Sequence, residues 1–544
     1  MSGFPIHSLS GLIIDDQPEM CKQLYTMLER IGLRRIAVCH TGDKAIEAMS
    51  KSKFDVILCD YDLGRGKDGL QVLEEGKHRE IILNTSCFIM ITAIQSNDMV
   101  IGAIEHQPDA YIIKPITFDD IRLRLERTLN IKDTYYNIFH NIDLKQYNAA
   151  LSACEQLTKA RPKLSLSVLK FKAKIYFKQE QYDKAEAIYT EVLQIRKLPW
   201  AFFGLAKAYF FQKKYKQASQ ILESLIAEHQ NYITAYDLLA QIKELQGDKV
   251  GAQKALQSAV SYSPRAVRRQ TFLSRIATEN QDWTAALPAA RKSVELGRHS
   301  IFKTPENYIH LTASLQPQLY SESLSDRRSA SAEILKTMDH FKKDFPEDTT
   351  VQVSAYFIES STHKQMGQER EQEKYLNMAT NLMDTHHYEL KEEALELISN
   401  RLSLTCDPET IQVFIDSELC KNLSTQAKTY IDNKAQEKAT KDNQEKIDKY
   451  NNKGVEFFER GALAEAIQMF EKATEHATAS FSVLLNAMQA HIAYLEQHGK
   501  DQTSMSACGD LMNRLNEMPP TDRRQARKKR LEALFNKLEE TWST

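Results

Sequence analysis

The stretch "FDVILCDYDLGRGKDGL", residues 54–70, decides the fold of the first part of the chain. A short, mostly apolar run ends in an aspartate, Asp60, and passes directly into a loop with three glycines, Gly64, Gly66 and Gly69. Apolar runs without alternation fit strands covered by helices on both faces, as in parallel sheets. In such sheets ligands sit outside the carboxyl ends of the strands, which is where Asp60 falls.

Reading outward, the same pattern recurs between residue 9 and about residue 127. "GLIID", "RIAVCH", "FDVILCD", "CFIMITA" and "AYIIKP" read as strands. Helical segments follow them, near Pro18 to Ile31 and then from Asp43, Gly69, Asn97 and Phe118. Strand and helix alternating in this way predict an α/β doubly wound, five-stranded parallel sheet. Four strand ends then carry polar groups: Asp15 and Asp16 after "LII", Asp60 after "VILC", Thr92 after "FIMI", and Lys114 after "YII" and before Pro115. Three carboxylates in one pocket repel unless a cation neutralises them. A hard divalent ion such as Mg²⁺ does so with carboxylates, waters and phosphate oxygens. Lysine adds a point charge suited to a phosphoryl oxygen, and threonine adds a hydroxyl donor.

On these residues the segment from about 9 to 127 resembles the receiver domain of bacterial two-component response regulators. The resemblance implies a flavodoxin-like fold in which Asp60 accepts a phosphoryl group from a histidine of a sensor kinase. It also implies that Asp15, Asp16 and Asp60 bind Mg²⁺, with the backbone carbonyl of Asp62 as a further ligand. Thr92 would bond the phosphoryl group, Lys114 would pair with it, and Tyr111 would turn inward as the switch aromatic. The Lys114–Pro115 peptide would be cis. One departure is visible: the loop after Asp60 has Leu63-Gly64 where Met-Pro is usual, and one extra residue before Asp68-Gly69.

Beyond about residue 128 strand signals almost vanish and apolar residues keep helical spacing. The segments "LKFKAKIYFKQEQYDKAEAIY" (169–189), "FFGLAKAYFFQKKYKQASQIL" (202–222) and "YDLLAQIKELQGDKVGAQKAL" (236–256) align without gaps. Small residues recur in register at Ala173, Ala206, Ala240 and Ser274, and again at Ala185, Ala218, Ala252 and Ala286. Paired antiparallel helices need small side chains where their backbones approach, and bulky ones to wedge against the next pair. With Phe202, Leu205, Tyr209, Leu222 and the closing Pro264, this pattern resembles the tetratricopeptide repeat family. A degenerate unit with Tyr147, Ala150 and Pro162 precedes these. "NKGVEFFERGALAEAIQMFEKA" (452–473) restores the pattern late, with a partner around "LLNAMQAHIAYL".

The expected organisation is a receiver at 1–127 and repeats at 128–300. Helical pairs of poor register follow at 301–425, then a charged, exposed or hinge-like helix at 426–450, and C-terminal repeats with a capping helix at 451–544. The composition, 42% hydrophobic and 26% charged with a net charge of -2, fits a folded soluble chain and gives no global footprint for nucleic acid. The run "RRQARKKR" (523–530) reads as the solvated face of a final helix, and the adjacent His386 and His387 do not share a helix face and so suggest no metal site. The first residues lack a positively charged leader and the apolar run there is broken by aspartates, so a cytoplasmic protein without a membrane anchor is expected. Eight cysteines without a C-x-x-C pair read as reduced core thiols.

Together these readings point to a response regulator that is itself not an enzyme. Its repeats would sequester, inhibit or scaffold a signalling partner, with self-association as a homodimer left open. Two other classes stand beside it: a phosphatase-like enzyme hidden in residues 300–425, and nucleic-acid binding by the helical repeats.

Overall fold

The computed structural model describes residues 6–93, 107–421, 423–475, 480–519 and 522–543. The helix expected from Asn97 lies outside the described residues. Two compact units are present, residues 1–341 and 342–544.

The first unit opens with five parallel strands, β1 (Ser10–Ile14), β2 (Arg35–Cys39), β3 (Val56–Asp60), β4 (Cys87–Thr92) and β5 (Ala110–Ile113), in the order β2-β1-β3-β4-β5. β3 is central, paired to β1 on one side and to β4 on the other, and every one of its residues is buried. Its alternate side chains feed two cores. Val56 and Leu58 join one with Leu24, Leu28, Ile121 and Leu125, while Ile57 and Cys59 join the other with Ala45, Ile46, Val72 and Leu73. Two cores of this kind explain the unbroken apolar run of the sequence. The flanking helices are α1 (Pro18–Ile31), α2 (Gly42–Lys51), α3 (Gly69–His78) and α4 (Phe118–Thr134). Each of the last three has a side-chain N-cap, from Thr41, Asp68 and Thr117, which fixes where the loop above the sheet ends.

Helices continue from there: α5 (Tyr136–Asp143), α6 (Tyr147–Ala160), α7 (Ser165–Lys178), α8 (Tyr182–Ile195), α9 (Pro199–Phe211), α10 (Tyr215–Glu228), α11 (Ile233–Leu245), α12 (Lys249–Tyr262), α13 (Val267–Glu279), α14 (Trp283–Gly297) and α15 (Pro305–Leu319). The small residues read from the sequence do what the repeat requires: Ala173, Ala206, Ala240 and Ser274, and Ala185, Ala218, Ala252 and Ala286, are fully buried. Gly204 is stricter still, since a Cβ there would stand 2.3 Å from the Tyr189 ring. The turn between the two helices of each pair is left-handed at Lys145, Glu180, Lys213, Gly247 and Gln281, with φ between 58° and 80°. Only one of these five positions is a glycine.

In the second unit Thr349–Gln365 pairs with Glu369–Thr385 through the same left-handed turn, here at Gly367 (φ 69°). A region read only as helical pairs therefore uses the repeat's own turn. The segment expected as an exposed or hinge helix at 426–450 is part of one 35-residue helix, Thr425–Glu459, that runs into the late repeat. It is not polar all round. Ala427, Ile431 and Ile447 form a sparse buried stripe, and a Cβ at Gly454 would stand 2.6 Å from the Phe470 ring of Leu463–Thr474. Much of the basic run at 523–530 also turns inward: Arg524 bonds Asp522 and Ser482, Arg527 bonds Asn486 and Gln489, and Lys528 bonds Asn516. All eight cysteines are buried and free. Among the described residues no helix is long and apolar enough to cross a membrane.

Candidate functional site

The carboxyl edge of the sheet brings Asp15, Asp16 and Asp60 together, with one carboxylate oxygen of each within 4.8 Å of the others. Asp15 and Asp60 are buried, while Asp16 is exposed at the mouth. Each oxygen of the two buried carboxylates, Asp15 and Asp60, has a partner. Asp15 Oδ1 accepts from the Gln17 backbone N–H at 2.9 Å, and Asp60 Oδ1 accepts from the Tyr61 N–H at 3.0 Å. Lys114 Nζ donates to Asp60 Oδ2 at 2.9 Å and lies 3.4 Å from Asp15 Oδ2. Lys114 is placed by its own backbone N–H, which donates to the Thr92 carbonyl at 2.8 Å. Its peptide bond to Pro115 is cis.

Burial pushes the Asp60 carboxyl up to about 6; the hydrogen bond and charge of Lys114 oppose the shift, and the Asp15 carboxylate reinforces it. Burial disfavours the charge on Lys114, yet the hydrogen bond and charge of Asp60, and then Asp15, outweigh it and leave its pKa raised. The pocket thus holds more negative charge than one lysine balances. That is the donor set a hard divalent cation suits.

Thr92 closes β4 and is buried beside this edge, one residue beyond the Asp60↔Ile91 register pair. Tyr111 lies on β5 and packs against the core that contains Ile57 and Cys59. Its hydroxyl is buried without a hydrogen-bond partner among the described residues, and burial raises its pKa. Tyr111 is therefore inward, toward the sheet. Asp62 is exposed and its side chain accepts from the Gly64 N–H at 3.1 Å.

The long loop after Asp60 is closely built. Gly64 (φ 69°) and Gly66 (φ 102°) take left-handed conformations, and a Cβ on Gly64 would stand 3.0 Å from Asp16 Oδ2. A Cβ on Gly69 would collide with the Asp60 carbonyl at 2.0 Å. Gly69 N–H closes the loop onto the Tyr61 carbonyl at 2.9 Å. Lys67, which sequence reading passed over, ties the loop to Asp43 at 2.8 Å and to Glu75 at 3.5 Å. The extra residue is thus absorbed in an anchored turn.

The first domain matches the family model of the response regulator receiver domain over residues 12–126. The N-terminal domain is a response regulator receiver. A tetratricopeptide repeat model matches residues 178–242, within the helical region that follows the receiver. Among curated proteins, the receiver is 33% identical over 119 residues to the transcriptional regulatory protein ZraR of Klebsiella oxytoca, covering 22% of this chain and 26% of that one. It is 24% identical over 116 residues to the chemotaxis protein CheY of Pseudomonas aeruginosa, covering 21% of this chain and 92% of CheY. The chain thus spans about a quarter of the length of the first of these relatives, and the match is confined to the receiver. Among solved structures, the signal receiver domain of a LuxO repressor protein from Vibrio parahaemolyticus is 22% identical, with a TM-score of 0.21, covering 23% of this chain and 92% of that domain.

Proposed function

We propose that Asp60 accepts a phosphoryl group from a histidine of a sensor kinase, and that the loaded receiver controls what the helical repeats bind. The observation that carries this reading is the buried Asp60 carboxylate, bonded to Lys114 at 2.9 Å and crowded by Asp15 and Asp16 at the open edge of the sheet. A carboxylate oxygen of Asp60 attacks the phosphorus. The bond from phosphorus to the donor's imidazole nitrogen breaks, its electron pair leaves with the imidazole, and the imidazole takes up a proton from water. Asp15, Asp16 and Asp60, with the backbone carbonyl of Asp62, would hold Mg²⁺, whose chemistry is to neutralise charge on the phosphoryl oxygens. Lys114 pairs with the phosphoryl group once it is attached, and the Thr92 hydroxyl bonds it, with Tyr111 following as the switch aromatic. The chain's own contribution is positioning and charge balance.

The output is protein binding by the repeats, which sequesters, inhibits or scaffolds a signalling partner. Solenoids present extended surfaces to protein partners, and this one carries cations suited to an acidic partner. Lys174 and Lys207 occupy equivalent places in successive repeats, each next to a buried small residue, Ala173 or Ala206. Lys174, still open to solvent, is pushed down to about 8 by desolvation, with the charges of Lys170, Lys77 and Lys207 adding. An anionic partner would relieve that repulsion. The test is hydrogen exchange over the full chain with Mg²⁺ and beryllofluoride. Protection is expected to change in the receiver and in residues 165–302 of the wild type, and to stay unchanged in Asp60→Asn. An unchanged wild type contradicts the reading.

A further inference from the structure

The first unit contains contacts that join the phosphoacceptor loop to the far end of the repeats. The Arg265 guanidinium donates to Asp68 Oδ2 at 3.1 Å and stands over the Tyr61 ring, 5.9 Å from its centroid. Tyr61 and Asp68 are the two ends of the loop after Asp60, tied to each other through the Gly69 N–H and the Tyr61 carbonyl. The Tyr61 N–H in turn holds Asp60 Oδ1. Arg265 therefore grips both ends of the loop, one residue removed from the acceptor carboxylate.

The segment that presents Arg265 is itself rigidly built. It is the connection between α12 and α13, and its carbonyls are held from beneath: buried Arg269 donates to the Ser263 carbonyl at 2.9 Å, and buried Gln270 donates to the Pro264 carbonyl at 2.7 Å. Arg269 is fixed by two hydrogen bonds to Asp237, at 2.7 and 2.6 Å. Nearby, α3 of the receiver is anchored separately. Gln71 Nε2 donates to the Leu296 carbonyl at 3.0 Å, and the His78 and Phe302 rings meet edge to face at 5.3 Å.

We propose that Arg265, supplied by the repeats, is a positioning residue for the phosphoacceptor site: it holds the loop from Tyr61 to Asp68 in the geometry that binds cation and phosphoryl group. The inference rests on the reading of Asp60 as phosphoacceptor. A loop already ordered loses less conformational freedom when the site is filled, so docking strengthens loading. Linkage is reciprocal, so loading strengthens docking by the same factor. The added negative charge beside the Arg265 cation acts in the same direction.

Two measurements on the full chain test this. In metal-free protein, amide exchange over residues 61–69 is expected to rise in Arg265→Ala by roughly fivefold, the scale of a modest coupling free energy. With acetyl phosphate, whose phosphoryl group passes to Asp60 with release of acetate, the Mg²⁺ concentration for half-maximal labelling is expected to rise by a similar factor. Arg265→Lys keeps the charge on Asp68 but not the flat contact with Tyr61, and restores part of both. Phe302→Ala removes the edge-to-face contact with His78 of α3, outside the loop, so it weakens docking and shifts both readouts in the same direction by less. Wild-type behaviour in Arg265→Ala overturns the inference, and an unshifted Phe302→Ala overturns its link to docking. A wild type that takes no label at Asp60 overturns the phosphoacceptor reading and this inference with it.

Discussion

Asp60 shows how one buried carboxylate can be both costly and useful. Its folded pKa is raised to about 6, above the ordinary carboxylate value, chiefly by burial. The folded state therefore holds the proton more tightly than the unfolded chain. Stability associated with Asp60 is present at low pH and is lost as pH rises from about 4 through about 6. Asp60→Asn removes that charge. In metal-free buffer the variant is expected to be more stable than the wild type by on the order of 2 kcal/mol at pH 7.5, with the difference vanishing near pH 4. Urea unfolding of the receiver transition at the two pH values checks this. Added Mg²⁺ is expected to stabilise the wild type and not the variant, since it offsets the same repulsion. These residues were legible in the sequence because each closes an apolar strand. Arg265 was not, because the sequence shows it only as the residue after a repeat-closing proline.

At the scale of elements, the repeats depend on small residues in the helices and left-handed residues in the turns. Gly204→Ala drives a methyl group into the Tyr189 ring and is expected to lower the stability of the first unit by about 1–3 kcal/mol. Lys213, by contrast, sits at φ 61°, where a side chain is strained. Lys213→Gly is expected to raise stability by roughly 0.5–1 kcal/mol, the left-handed strain relieved exceeding the added entropy of the unfolded glycine. Thermal unfolding of the two variants beside the wild type decides both. The helical packing could be read in advance because small and large residues recur at a fixed spacing. The turns could not, since Glu180, Lys213 and Gln281 carry no glycine signal. The helix Thr425–Glu459 misled for a related reason: its charges outnumber a buried stripe of widely separated apolar residues, Ala427, Ile431 and Ile447.

At the scale of the molecule, the receiver is gripped by its own repeats from two sides. Glu80 pairs with Lys178 at 2.7 Å and Lys145 at 3.2 Å near the start of the helical region, while Arg265, Leu296 and Phe302 hold the loop and α3 near its end. On the proposed reading, phosphoryl chemistry at one sheet edge would act on contacts that span the first unit. All of this turns on Asp60. The most direct test is intact-mass spectrometry of the full chain after incubation with acetyl phosphate and Mg²⁺. The wild type is expected to gain one phosphoryl group and to lose that label when Mg²⁺ is withheld, whereas Asp60→Asn gains none. Equal labelling of the wild type and Asp60→Asn, or no labelling of the wild type, would contradict the account.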